Sequence, residues 1–323
     1  MSVPPCSHGR VTGWIPFPGH DWKDAAKVRA RLAAGADPNA EIRHRRPPLH
    51  MAARHGSPEA IGELVAAGAV AEAVHRGRTA LWEAVFANRP DNARALVAAG
   101  ADPWRPMMAG WSPGRLSLAG REPGLFGEPP GGVALSPDER AAVDEARRLI
   151  AVFGGFDFYG RSLACAAGLS ARDVARRLGA EVAEEERVEE LREDPWAGDG
   201  DELSIVGVTE VQGGCVVTQP WAYGASTPGV GRRLSAGTIC HTAYSNPKSG
   251  HQWREYLDGE YVASDGVRLD ETTSADWILW EFLYFVQPVA FGCARAGLRP
   301  TDDRAIAGEP DVWLRLPDLD WWA

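Results

Sequence analysis

At 323 residues, 45% of them hydrophobic and 24% charged, the chain is too long for one core of ordinary size and too apolar to be disordered, so two folded domains are expected. A formal net charge of −10 repels a polyanion at long range, so nucleic acid is not expected as a ligand. Cysteines at 6, 165, 215, 240 and 293 are odd in number and lack metal-ligand or C-x-x-C spacing, which predicts a reducing compartment and no metal site.

Prolines stand near the N-terminus where a signal peptide would carry its apolar stretch, so a cytoplasmic location is expected. Residues 21–34 then read as a helix that ends in Leu32-Ala33-Ala34-Gly35-Ala36-Asp37-Pro38-Asn39. That ending returns as Val65-Ala66-Ala67-Gly68-Ala69 and as Val97-Ala98-Ala99-Gly100-Ala101-Asp102-Pro103-Trp104, 33 and then 32 residues on. Self-similarity at this period marks stacked units, each with an apolar face that only its neighbour can cover.

A second pattern lies between the repeated endings. Pro47-Pro48-Leu49-His50-Met51-Ala52-Ala53-Arg54-His55-Gly56 is followed, one period later, by Thr79-Ala80-Leu81-Trp82-Glu83-Ala84-Val85-Phe86-Ala87-Asn88. Thr79 is placed to cap a helix, the alanines allow paired helices to approach closely, and Gly56 and Asn88 are expected in the left-handed conformation that closes helix one. Ser57-Pro58-Glu59 predicts the start of helix two, with Ile61, Leu64 and Val65 inward; Arg89-Pro90-Asp91 repeats this with Ala93, Leu96 and Val97.

On these residues the first half of the chain resembles an ankyrin-repeat protein, an α-solenoid, over about residues 12–155: two full repeats and two irregular ones. Trp111-Ser112-Pro113 starts a third repeat whose second helix is displaced beyond a Gly/Pro-rich stretch, residues 120–132, to Ser136-Pro137-Asp138-Glu139. The resemblance implies a protein partner held by the hairpin tips and by the residues closing helix one. Carried over, these are Arg43, His44, Arg46, Arg54 and His55; His75, Arg76, Arg78, Phe86 and Ala87; and Met108, Ala109 and Trp111. Arg43, Arg45, Arg46, Arg76, Arg78 and Arg105 against Glu41 leave +5 on the tips of an acidic molecule, which predicts an acidic protein partner. The resemblance makes His50 a structural hydrogen-bonding residue between hairpins rather than a catalyst.

A second domain is expected over residues 156–323. It contains an acidic segment, residues 181–202, with eleven carboxylates against Arg187 and Arg192, read as an exposed helix ended by Asp194-Pro195 and acting as a spacer or a regulatory competitor. Strands are predicted at 203–211 and 215–219 around Gly213-Gly214, at 238–244, and at 251–257 and 260–264 around Asp258-Gly259. With a short helix near residues 230–234 they make an α+β domain with an antiparallel meander. Gly168-Leu169-Ser170, Trp221, Arg232-Arg233-Leu234-Ser235 and the Asp258-Gly259 hairpin resemble an uncharacterised actinobacterial α+β domain family, which implies a fold and no site.

The apolar run of residues 277–294 is interrupted by Glu281, Gln287 and Pro288, so it is read as a buried helix over 274–287 stopped by Pro288, with no membrane span. The final Trp321-Trp322 pair is expected to pack back onto the domain.

No catalytic or cofactor motif stands out: neither H-E-x-x-H, a Walker loop, G-x-S-x-G nor a dinucleotide glycine fingerprint occurs. Cys240 and His241 are adjacent on a predicted strand, point to opposite faces and cannot act as nucleophile and base for each other. The expected function is therefore non-enzymatic protein binding without a cofactor. The alternatives are an immunity or antitoxin-like role in defence, or an enzyme in residues 156–323 built from distant residues.

Overall fold

A computed structural model describes residues 13–41, 46–154, 156–195, 201–248, 250–264 and 272–322. It groups them into two units, residues 1–140 with 269–283, and residues 141–268 with 284–323. The division differs from the expected break at 155/156: it falls inside one helix, and a segment from the far end of the chain joins the first unit.

In the first unit the helices are α1 (Ala25–Ala33), α2 (Pro48–His55), α3 (Pro58–Ala66), α4 (Ala80–Phe86), α5 (Pro90–Ala98), α6 (Pro113–Ser117) and the start of α7 (Pro137–Phe153). The repeated endings of α1, α3 and α5 have one geometry. Gly35, Gly68 and Gly100 all take positive φ, at 86°, 94° and 95°. The next N–H reaches five residues back, from Ala36 to Arg31, Ala69 to Leu64 and Ala101 to Leu96, at 2.9–3.0 Å. This closure satisfies carbonyls that the helix leaves open, and it buries Ala36, Ala69 and Ala101.

The predicted starts hold as well. Ser57 caps α3, Thr79 accepts from the Trp82 N–H, and Pro58 and Pro90 occupy first-turn positions. Asn88 is left-handed at φ 51°. Gly56 is not: its φ is −90°. A Cβ there would lie 2.6 Å from the Ala52 carbonyl oxygen and 2.7 Å from that of Trp22, so close backbone approach, not conformation, demands glycine. Val28, Ile61, Leu64, Leu81, Leu96, Ala52, Ala53 and Ala84 form the helical core.

Both ends of the stack are covered by aromatic side chains. Trp14 stacks on Trp22 at 5.0 Å with Phe17 edge-on to both, and all three are buried. At the other end, helix α11 (Ala275–Leu283), named here in chain order after α8 to α10 below, accepts the Trp111 indole N–H on the Ala275 carbonyl at 3.0 Å and sets Phe282 against Phe86 at 5.8 Å. The displaced helix opens as predicted, with a reciprocal cap between Ser136 and Glu139.

The second unit holds an eight-stranded antiparallel sheet among the described residues: β1 (Ser162–Ala167), β2 (Glu181–Val182), β3 (Ile205–Val211), β4 (Gly214–Gln219), β5 (Ile239–Asn246), β6 (Gly250–Leu257), β7 (Glu260–Ser264) and β8 (Val312–Arg315), in the order β2, β8, β3, β4, β1, β5, β6, β7. The two predicted hairpins, β3–β4 and β6–β7, are present. Asp258 and Gly259 take φ 51° and 82°, the left-handed pair that matches strand twist in a tight turn. The meander is incomplete, because β1 enters between β4 and β5 and β8 returns beside β3.

Helices α8 (Ala171–Leu178) and α10 (Pro228–Leu234) cover one face of this sheet, packing Val174, Leu178, Val230 and Leu234 on Ala164, Val206, Val217 and Cys240. Gly231 of α10 permits the contact, since a Cβ there would meet the Tyr256 ring at 2.3 Å. The opposite face carries α9 (Glu185–Glu193) and α12 (Pro288–Arg295); α13 (Arg304–Ala307) follows.

Three expectations need correction here. The acidic helix is not a solvated spacer: Val188 and Leu191 of α9 are buried with Ile205, Trp221 and Ala222, so its apolar stripe fixes it in the fold. The apolar helix ends at Leu283, Val286 turns through φ 55°, and Pro288 starts α12 instead of stopping a helix, as suits a residue with no N–H to satisfy. Of the final pair, Trp321 packs against the core while Trp322 is 57% exposed. Among the described residues no helix is long and apolar enough to cross a membrane.

Candidate interaction site

The segment between α3 and α4 makes a two-residue turn. His75 and Arg78 form the bridge, with the His75 N–H on the Arg78 carbonyl at 2.8 Å and the reverse bond at 3.2 Å. Arg76 and Gly77 sit at its tip with φ 52° and 74°. Left-handed backbone costs a non-glycine residue roughly 1–2 kcal/mol, yet an exposed arginine occupies it. His50, buried in α2, bonds the Arg78 carbonyl through Nε2 at 3.0 Å, which is the tie between hairpins that its motif position implied.

Behind the tip lies a residue that the sequence left unmarked. Glu83 of α4 is buried, its side chain 3% exposed, and three guanidinium groups converge on it: Arg46 at 2.8 Å, Arg54 at 3.1 Å and Arg78 at 3.5 Å. Burial opposes the Glu83 charge, but Arg46, Arg54 and Arg78 outweigh it and hold the carboxyl below its usual range. Glu83 stands at the position that is apolar in the repeat pattern and holds Met51 in the preceding copy. Its signal was periodic: Arg54 and Arg46 stand one repeat back, three residues after the matching Met51 and five before it, in and just before the helix α2 that packs beside α4.

The three arginines are not equally hidden, with side chains 34%, 19% and 14% exposed for Arg46, Arg54 and Arg78. Together with Arg76 and Arg89 against Glu41 and Glu83 they leave an excess of +3 around His55 and His75, the groups that sense these charges. Both histidines have lowered pKa values, through burial first and the adjacent arginines second. At neutral pH the positive charge of this face is therefore carried by arginine.

The other expected contact residues divide into groups. Arg43 and His44 lie outside the described residues. Arg46, Arg54, His55, His75, Arg76 and Arg78 gather on the surface around Glu83 and the turn. Phe86, Met108 and Trp111 are 6%, 3% and 0% exposed and belong to the core: the segment containing α11 covers them, as the Phe86–Phe282 and Trp111–Ala275 contacts show. They are corrected from surface to interior. Arg105, counted as a free tip charge, pairs with Glu72 at 2.7 Å.

In the second unit, Cys240 and His241 do face opposite sides. Cys240 lies in the α8/α10 core with its thiol pushed up by burial, while His241 stacks on Trp253 at 5.3 Å and meets Phe291 of α12 edge-on at 5.1 Å. Arg295 forks onto Glu255 at 2.7 Å through both nitrogens, and His241 Nδ1 lies 3.9 Å from the same carboxylate. Burial raises the Glu255 pKa, but His241 and Arg295 overcome this and bring it down to about 2; burial keeps His241 neutral. This is a closed, charge-balanced pair beneath a helix. Among the described residues no group of histidine, cysteine and carboxylate side chains is arranged to hold a metal.

No curated protein matches the chain. The family model for ankyrin repeats matches residues 23–107 in three copies, the same residues that hold the glycine-closed helix endings, the buried alanines and the His50 tie, and so this stretch of the protein is an ankyrin-repeat stack, a protein–protein interaction module.

Proposed function

We propose that the ankyrin unit binds an acidic segment of a protein partner through the face formed by Arg46, Arg54, His55, His75, Arg76 and Arg78, with Arg43 and His44 of the preceding tip as further contacts. One observation carries this: three guanidinium groups share a single buried carboxylate. Glu83 holds the three groups in place, and one carboxylate cannot neutralise three guanidinium charges, which leaves positive charge fixed on this face for a second carboxylate. Pre-organised donors reduce the entropy lost on binding, and an excess of positive charge on an acidic molecule selects against other partners. The strained backbone at Arg76 supports the same reading, since such conformations persist where a side chain is needed at that place. No residue of this face needs to perform chemistry.

The test uses the full chain and a glutamate-rich peptide, followed by calorimetry at low and at physiological ionic strength. Binding is expected at low salt, weakening as salt rises; Arg76→Glu or Arg46→Glu should reduce affinity at least tenfold, and the exposed Arg76→Glu should do so without changing the thermal midpoint by more than a few degrees. Equal affinity in the wild type and both variants would rule the reading out.

A further inference from the structure

The second unit has a cavity of ≈ 140 Å³ on the α8/α10 face of the β5–β6 pair. Across that ladder Thr242 faces Arg254 and Tyr244 faces Gln252, and strand alternation brings all four side chains to one face. Trp253 belongs to the opposite face, where it stacks on His241. Above the strands stand Tyr223 and Ser226, from the short turn after β4, and Trp322 from the chain's last described residues. The Tyr223 ring centre is 5.9 Å from that of Tyr244 and 5.7 Å from that of Trp322, edge-on and tilted respectively.

Three features set the chemistry of an occupant. The volume is close to that of an apolar cavity that accommodates one benzene ring, about 150 Å³. Tyr223 packs on Tyr244 and on Trp322 at the spacing aromatic groups prefer, roughly 4.5–7 Å between centres, so the three make an aromatic wall along the space. Among the described residues Arg254 is the only charged one lining the space, and no carboxylate among them pairs with it, unlike Arg46, Arg54, Arg78, Arg295 and Arg304. The two aliphatic hydroxyls already donate elsewhere, Ser226 to the Tyr223 carbonyl at 2.8 Å and Thr242 to the Arg254 carbonyl at 3.4 Å. The donors lining the space are then the Arg254 guanidinium, the Gln252 amide and the phenol hydroxyls of Tyr223 and Tyr244, and of these only the guanidinium offers a charged planar fork for a carboxylate.

We propose that this cavity binds a monocyclic aromatic carboxylate, its ring among Tyr223, Tyr244 and Trp322 and its carboxylate on Arg254. Binding is non-covalent, with Trp322 closing the cavity at its rim. The site lies entirely in the second unit and does not depend on the partner-binding role of the first.

The experiment titrates 4-fluorobenzoate into the full chain, followed by fluorine NMR and tryptophan fluorescence, with 4-fluorobenzyl alcohol and cyclohexanecarboxylate as comparison ligands. Saturable binding of 4-fluorobenzoate is expected, at least tenfold weaker in Arg254→Gln, partly retained in Arg254→Lys and several-fold weaker in Trp322→Leu, a change at an exposed position that should not affect folding. The alcohol, which lacks the charge, should bind weakly and be indifferent to Arg254→Gln. Cyclohexanecarboxylate, which lacks the ring faces, should bind more weakly than the aromatic acid. The proposal is overturned by the absence of saturation up to about 10 mM, which corresponds to less than about 3 kcal/mol of binding, or by equal affinity in the wild type and a folded Arg254→Gln.

Discussion

Each unit buries one glutamate under arginine, and the surroundings turn the same pair to opposite ends. In the second unit Arg295 meets Glu255 as a bidentate fork under α12, with a neutral histidine beside it, and the charges cancel. In the ankyrin unit one carboxylate holds three guanidinium groups, from the residues before α2, from its last turn and from the turn before α4. A closed pair contributes geometry to the fold and nothing to recognition. An unequal one fixes its members in place and keeps charge available for another molecule. Buried salt bridges are weak indicators of net stability in either case, although removing one partner is costly.

The largest expected effect lies on the closed side. Arg295→Met leaves Glu255 with a desolvated charge and should cost the second unit roughly 3–5 kcal/mol, seen as a lower denaturant midpoint; Glu255→Leu in the same chain should restore much of it. If Arg295→Met alone is neutral, the pair is better solvated than its burial implies and the contrast between the units disappears.

Glu83→Gln should cost less, about 2–3 kcal/mol, because its arginines can turn to water. It also sharpens the comparison, since a folded Glu83→Gln protein carries one more unit of positive charge on the proposed face and should bind a glutamate-rich peptide more tightly at low salt. Weaker binding would mean that Glu83 contributes mainly by orienting the donors.

Acid should affect both units in the same direction. His50 and His241 are held neutral by burial, with folded pKa values below the ordinary one. The unfolded chain therefore takes up protons first, and stability present above about pH 6.5 is lost as the pH falls. Glu83 and Glu255 have depressed folded values too, so their contribution is present above about pH 4.5 and disappears on further acidification, for Glu255 toward pH 2. Thermal unfolding from pH 8 to 3 checks this, and a midpoint that does not change between pH 7 and 5 would contradict the burial of the histidines.

Arg76→Gly has the smallest expected effect on stability. Relief of the left-handed backbone is opposed by the entropy of an added glycine, for a net change within about 1 kcal/mol, yet peptide affinity should fall. A loss of binding at unchanged stability would separate the recognition role of the tip from its structural one.

The two units also differ in how far their residues announced them. Every repeat feature depends on neighbours within a few positions or one period away: the glycine after each second helix, the cap at Thr79, the prolines at first-turn positions, the buried alanines. Local backbone chemistry and a fixed period dictate these. Hairpins β3–β4 and β6–β7 were legible for the same reason, since Gly213-Gly214 and Asp258-Gly259 are local turn chemistry. Strands β1 and β8 were not, because a short apolar run such as Ser162–Ala167 reads equally as helix or strand until its partners are known.

At the candidate sites the limits are similar. The chain's order of residues was enough to establish a repeat stack and the turn that carries Arg76 at its tip. Folding in three dimensions decided that α11 would return to cover Phe86 and Trp111, that Glu83 would gather Arg46, Arg54 and Arg78, and that Tyr223, Arg254 and Trp322 would enclose one cavity. Apart from the contact of Glu83 with Arg78, those outcomes join residues tens to more than a hundred positions apart, and such contacts depend on which surfaces remain to be buried after the local elements have formed, a condition that no short-range pattern encodes.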